Sequence, residues 1–289
     1  MSLRDVTRLT HLGWDTVKSI VKSDLARRYA KIPLKEVRRI AIDENYLGAK
    51  AKYVTLVIDL DSGHILWVGK GRGKEALVDF WPKLRAAKAK IVAAACDMSA
   101  AYWAAAQEHL PDAALVFDRF HIVKLANEAI DEIRRGIQRT LDLTGRKHIK
   151  GKRYLLLRAK ENLSAEQQPQ LEEALMWNEP LSKAYYLKEE LRELWEQSTH
   201  QEATAYLQSW ILRAMSAGLL PLKRLATTLL THAKSILNYF HHPITSGKME
   251  GINNKIGRLT RLASGYRDIE FLHLKLYSLH ESTFKLSGV

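Results

Sequence analysis

Two short apolar runs that each end in a carboxylate constrain this chain more than any other feature. The first is Arg38-Arg39-Ile40-Ala41-Ile42-Asp43-Glu44, and the second is Ile91-Val92-Ala93-Ala94-Ala95-Cys96-Asp97. Runs of this length and composition read as buried strands. A strand that delivers an Asp to the rim of an apolar core needs that carboxylate paired or bound to a metal. Two such strands suggest a cation shared by Asp43 and Asp97, and they call for a third carboxylate elsewhere.

With 289 residues, 46% of them hydrophobic, the chain can bury a sizeable core and more than one domain. Its formal net charge of +13 points to a polyanionic partner, with nucleic acid the first candidate. No apolar run approaches the roughly 20 residues of a membrane span, and no signal peptide is evident, so a soluble cytoplasmic setting near the nucleoid is expected. The single cysteine, Cys96, excludes a disulfide framework and a multi-cysteine zinc site.

Along the chain, Ser2 to Thr10 reads as a short helix, His11-Leu12-Gly13 as a turn, and Trp14 to Lys22 as the start of a second helix. This is a partial helix-turn-helix over residues 1–30, in which Thr16, Lys18, Ser19 and Lys22 would face DNA; a plain helical hairpin is the alternative. Residues 31–36 form a linker. Strands follow at Val37–Asp43, Tyr53–Asp59 and Ile65–Val68, the last two joined by a turn at Asp61-Ser62-Gly63. A helix over Lys74–Leu84 would bury Leu77, Val78, Trp81 and Leu84. The Asp97 strand, a helix over Ala100–Leu110 and a strand over Ala114–Phe117 complete the order β-β-β-α-β-α-β. That is a mixed five-stranded α/β sheet in the ribonuclease-H-like order, with its first part at residues 37–121.

Residues 122–243 read as almost wholly helical, an insertion ended by His241-His242-Pro243. Arg134 to Lys160 holds ten Lys or Arg against one acid, and Glu161 to Glu202 holds ten acids against three bases. The basic stretch suggests a phosphate-tracking surface through Arg134, Arg135, Lys147, Lys150, Lys152 and Arg153. Residues 244–289 return to the core, with a helix on which Glu250, Asn253, Asn254 and Gly257 share one face. Gly247 and Gly251 suggest close approach to a polar site, and Lys255, Arg258 and Arg261 add positive charge.

Asp43, Asp97 and Glu250 can form an oxygen-rich site for two Mg²⁺ or Mn²⁺ ions, since hard cations prefer carboxylate oxygen. Glu44 should face the other side of its strand. Asp59 and Asp61 are turn formers, and His241-His242 reads as a structural helix stop. Asp118 and His121, three apart where strand gives way to helix, are either a local lock or helpers of the site.

Ile42-Asp43-Glu44, Tyr53-Val54-Thr55, Cys96-Asp97-Met98-Ser99-Ala100-Ala101-Tyr102, Val116 to His121 and Glu250 to Ile256 resemble the ISL3 family of bacterial insertion-sequence transposases. The resemblance implies a DDE recombinase with a ribonuclease-H-like fold and an all-helical insertion before the final Glu. It implies Asp43, Asp97 and Glu250 as catalytic metal ligands, with Asp118, His121, Asn253 and Asn254 in support. It further implies double-stranded DNA ends and target as partners and a homodimer as the assembly. Family members usually carry an N-terminal cysteine-rich zinc ribbon, which has no counterpart here. The alternative is therefore a shortened, non-catalytic DNA-binding relative that represses or competes with a full-length transposase.

Overall fold

A computed structural model describes residues 2–48, 52–96, 99–245, 247–263 and 266–281. Helix α1 (Leu3–Thr10) is closed by a capping box between Ser2 and Asp5, and α2 spans Trp14–Arg28. His11, at φ +57°, and the extended Gly13 make the turn between them, giving a helix-turn-helix-like pair. Five strands follow: β1 (Arg39–Gly48), β2 (Lys52–Asp59), β3 (Ile65–Lys70), β4 (Ala93–Cys96) and β5 (Ala114–Phe117). The spatial order is β3-β2-β1-β4-β5. β1 is thus central, antiparallel to β2 and parallel to β4. The expected mixed ribonuclease-H-like sheet is present.

Two elements differ from the reading of the sequence. β1 continues to Gly48, paired with β2 throughout, so Asp43 lies in mid-strand opposite Leu56 rather than at a strand end. The β2 partner supplies hydrogen bonds past the apolar run, and ladder pairing, not hydropathy, ends the strand. The helix expected over Lys74–Leu84 is instead a 3₁₀ turn (Lys74–Leu77) followed by α3 (Phe80–Ala86). Pro82 is the cause: in a continuous helix it would remove an interior hydrogen bond and clash with the preceding turn. Starting at Phe80 puts Pro82 in the first turn, where the N–H has no intrahelical partner anyway. Val78, expected in the core, is consequently 60% exposed, and Phe80 is buried in its place.

One face of the sheet packs Ile40, Ile42, Val57 and Leu66 against Leu77, Phe80, Trp81 and Leu84, and against Tyr102, Ala105 and Ala106 of α4 (Ala100–His109). Cys96 is buried in this core, as expected of a small apolar side chain.

The large helical insertion begins with α5 (Arg119–Thr140) and continues through α6 (Leu143–Ile149), α7 (Arg153–Leu157), α8 (Gln167–Met176) and α9 (Glu179–Glu193). It ends with α10 (His200–Ser216), α11 (Leu220–Thr231) and α12 (Ala233–Leu237). α13 (Gly247–Leu262) and α14 (Ile269–Tyr277) close the fold. By its contacts the chain divides into one unit of Met1–Leu115 with Ile244–Val289 and a second of Val116–Pro243. Within the second, α5 buries Ile122, Ala126, Ala129, Ile130 and Ile133, the stripe of an amphipathic helix. Trp210 donates its Nε1–H to the Leu187 carbonyl at 2.7 Å, tying α10 to α9. His241 stacks on His200 with ring centroids 4.6 Å apart, in keeping with a structural role for the His241-His242 stop. No helix among the described residues is long and apolar enough to cross a membrane.

Candidate active site

Successive residues of a strand face opposite sides of the sheet, and β1 uses this to give two adjacent acids different surroundings. Asp43 faces α13: its Oδ2 accepts a hydrogen bond from Asn253 Nδ2 at 2.8 Å, and its Oδ1 accepts from the Glu44 amide at 2.8 Å. Glu44 faces α4, with its Oε2 3.5 Å from the Tyr102 hydroxyl. The two side chains therefore belong to different networks, as strand alternation requires.

α13 is set beside β1 by its apolar stripe, in which Met249, Ile252 and Ile256 are buried. Two polar contacts fix it further. Lys248 donates to the carbonyl of Asp61 in the β2–β3 turn, and Asn253 reaches Asp43. Glu250 lies between these two residues in the chain and is exposed. Asn254 is also exposed, so of the two carboxamides it is Asn253 that reaches the acid. Among the described residues, a Cβ at Gly251 would meet nothing within 4 Å and one at Gly247 only Thr245 Oγ1 at 3.7 Å, so none of those residues makes the close approach expected there.

Asp97 lies outside the described residues. It directly follows Cys96, whose register partner on β1 is Ile42, the neighbour of Asp43. Among the described residues no three His, Cys, Asp or Glu side chains gather to hold a metal ion. What those residues do offer is oxygen-only donor chemistry, suited to a hard divalent cation. The Oδ1 of Asn253 is buried with no hydrogen-bond partner among them. An orphaned acceptor beside a carboxylate that its own amide orients fits a site built to receive a cation or its water.

Asp118 and His121 lie in the second unit. Asp118 is buried and caps α5 by accepting from the Phe120 amide at 3.0 Å, while His121 Nε2 lies 3.8 Å from Asp118 Oδ2. The capping geometry accounts for Asp118 as a helix lock.

The cations read from the sequence as DNA contacts separate into two groups. Lys18 Nζ lies 2.8 Å from Asp268, and Lys22 Nζ lies 3.3 Å from Asp268 and 2.7 Å from Glu270, so both hold α2 on α14. Thr16 and Ser19 remain exposed. These neighbours hold the Asp268 carboxyl well below the usual carboxylate range, Lys18 foremost and the Phe271 amide next. Arg134, Arg135 and Arg153 converge on Asp131 at 2.8, 3.3 and 3.3 Å. Lys152 lies 3.6 Å from Glu173, and Lys255 donates to the Leu279 carbonyl at 3.1 Å. Lys147, Lys150, Arg258 and Arg261 have no acidic partner among the described residues. Lys18, Lys22, Lys152 and Arg153 meet acids on other elements, which charge counting along the sequence could not see, whereas Asp131 lies three and four residues before Arg134 and Arg135 on α5.

A network that the sequence did not advertise joins two of the quoted motifs to Gly71 and Gly73. The Tyr102 hydroxyl is 2.8 Å from Thr55 Oγ1 and accepts from the Gly73 amide at 3.0 Å, while Thr55 Oγ1 donates to the Gly71 carbonyl at 3.0 Å. Thr55 is fully buried and Tyr102 nearly so. A buried Thr in a strand and a Tyr one helical turn past the Asp97 position were the available signals.

Comparison with known proteins agrees with this geometry. The profile of a DDE transposase family of the ISL3 type, described as transposase, matches residues 40–276. The transposase for insertion sequence element IS1001 of Bordetella parapertussis is 36% identical over 279 residues, covering 95% of this chain and 69% of that protein. The transposase for insertion sequence element IS1557 of Mycobacterium tuberculosis (strain H37Rv) is 32% identical over 296 residues, covering 92% of this chain and 66% of that protein. The chain thus spans about two thirds of the length of these curated relatives. Matched over most of its length and folded around a ribonuclease-H-like sheet with a helical insertion, it belongs to the ISL3 family of DDE transposases.

Proposed function

We propose that the chain carries the strand-cleaving and strand-joining centre of a transposase acting on the double-stranded ends of an insertion sequence. The observation that carries this reading is the 2.8 Å hydrogen bond from Asn253 of α13 to Asp43 of the central strand. It brings the Glu250 helix onto the strand whose parallel neighbour leads directly into Asp97. Residues three apart on a helix have Cβ atoms about 5–6 Å apart, which keeps Glu250 close to the Asp43–Asn253 contact.

In this reading Asp43, Asp97 and Glu250 would hold Mg²⁺ or Mn²⁺. A bound pair of such ions would stabilise the attacking and leaving oxygens of an in-line displacement at phosphorus. The protein's own contribution is positional. Asn253 and the Glu44 amide each donate to one oxygen of Asp43, fixing the carboxylate plane. Water attacks first, releasing a 3′-hydroxyl at the element end, and that hydroxyl then attacks target DNA; no covalent enzyme intermediate is required. Joining two ends in one event favours a homodimer.

The test is cleavage and joining of element-end DNA with added Mg²⁺ or Mn²⁺. Asp97→Asn and Asp43→Asn should abolish both steps while leaving DNA binding intact. Full activity in Asp97→Asn would overturn the assignment. DNA binding by the unaltered chain with no cleavage under any ionic condition would favour a non-catalytic, competing relative.

A further inference from the structure

Between β3 and α3 runs Gly69-Lys70-Gly71-Arg72-Gly73-Lys74, three glycines alternating with three cations. Each glycine has its own structural reason. A Cβ at Gly69 would lie 2.1 Å from the Ala76 carbonyl oxygen, so only glycine lets the chain fold back this tightly on β3. Gly71 and Gly73 sit at φ +83° and +90°, where other residues are strained. Trp67 Nε1 donates to the same Ala76 carbonyl at 2.8 Å, closing the base of the loop.

Buried hydroxyls hold the loop from beneath. Thr55 Oγ1 donates to the Gly71 carbonyl, and the Tyr102 hydroxyl, 2.8 Å from Thr55 Oγ1, accepts from the Gly73 amide. The backbone on both sides of Arg72 is thereby anchored, while Lys70, Arg72 and Lys74 are all exposed. Arg72 stacks over the Tyr53 ring at 5.0 Å. Glu75 is the one acid in the adjoining sequence, and none of the three cations has an acidic partner among the described residues.

The loop leaves β3 at the same end of the sheet at which β4 ends. β1 runs parallel to β4, and β2 is antiparallel to both β1 and β3, so β1, β3 and β4 all run the same way. The chain therefore exits β3 at Lys70 and β4 at Cys96 on one edge. Lys70 pairs with Val54, two rows past the Leu56 that faces Asp43, and two strands across. Standard strand spacing and rise put it about 12 Å from Asp43, a few nucleotides at about 3.4 Å of rise each.

We propose that Lys70, Arg72 and Lys74 form a DNA-backbone clamp that grips phosphates a few nucleotides from the position cleaved at Asp43, with Tyr102 and Thr55 holding it in place. The proposal rests on the reading of Asp43 given above. It differs from bulk attraction by the +13 charge in requiring an anchored loop at one edge of the sheet.

The experiment measures binding of a short duplex of arbitrary sequence to the full chain by fluorescence anisotropy, between about 50 and 200 mM salt. Each lost phosphate contact should lower the log–log salt slope by about 0.9, so Lys70→Gln/Arg72→Gln/Lys74→Gln should lower it by about 2.7. The control Arg85→Gln/Lys88→Gln/Lys90→Gln removes the same charge ahead of β4, at the opposite edge, and should leave the slope nearly unchanged. Gly71→Ala keeps every charge and buried hydroxyl but strains a position at φ +83°, and should weaken binding while lowering the melting temperature by only a few degrees. An unchanged slope in the loop variant, or equal losses in loop and control variants, overturns the clamp. Cleavage is read separately. If Asp43→Asn abolishes it while the loop variant binds normally, the clamp fails and the active-site reading stands. If Asp43→Asn cleaves normally, the active-site reading fails, and the salt slope still decides whether the loop contacts DNA.

Discussion

Replacing Asn253 with alanine should separate stability from catalysis, because its two polar atoms are in opposite situations. Nδ2 donates to the Asp43 carboxylate at 2.8 Å, and a hydrogen bond to a charged group contributes about 1.5–3 kcal/mol. Oδ1 is buried without a partner among the described residues, and leaving such an acceptor unsatisfied costs about 1–3 kcal/mol. Asn253→Ala removes both, so folding stability should change by no more than about 2 kcal/mol and the melting temperature by no more than about 6 °C. Catalysis has no such compensation. A carboxylate that loses about 1.5–3 kcal/mol of orientation should slow cleavage by about 10- to 150-fold. The assay pairs a cleavage time course with a thermal melt of the same preparation. Asn253→Asp supplies the internal check: a second carboxylate against Asp43 should destabilise the fold at neutral pH and recover on acidification. An unchanged cleavage rate in Asn253→Ala would refute the positioning role. So would a rate loss matched by an equal loss of stability.

Three further outcomes follow from contacts elsewhere. Lys188 is 2% exposed, donates to the Leu156 and Arg158 carbonyls at 2.8 and 3.1 Å, and adjoins Glu189. Lys188→Met should therefore destabilise by about 3–5 kcal/mol, read as a shift in the guanidinium midpoint. Asp268 has its folded pKa depressed, so its stabilisation is present above the unfolded value of about 3.9 and is lost as pH falls through the lower folded value. The unaltered chain should accordingly lose melting temperature more steeply than Asp268→Asn on acidification below about pH 5, and parallel curves would refute this. Gly69→Ala forces a Cβ to within 2.1 Å of a backbone oxygen, and should cost at least about 1–3 kcal/mol by chemical denaturation.

The order of elements and the helical insertion were legible along the chain, because hydrophobic periodicity and turn residues are local signals. Alternation along one strand was enough to assign Asp43 and Glu44 to opposite faces, and Asn253 and Tyr102 now occupy those faces. Part of what the linear pattern left open was local, and part depends on residues far apart in sequence. β1 runs past Asp43 because β2 continues to pair with it. Val78 turns outward because Pro82 dictates where α3 begins. The fold sets Asp268 and Glu270 beside Lys18 and Lys22, and Asp131 beside Arg153, while Arg134 and Arg135 meet Asp131 within their own helix. A cation's availability depends on its three-dimensional neighbours, and only tertiary structure supplies those. The same holds for the glycine-interleaved loop after β3, whose cations gain meaning from lying two rows past Asp43 in the sheet.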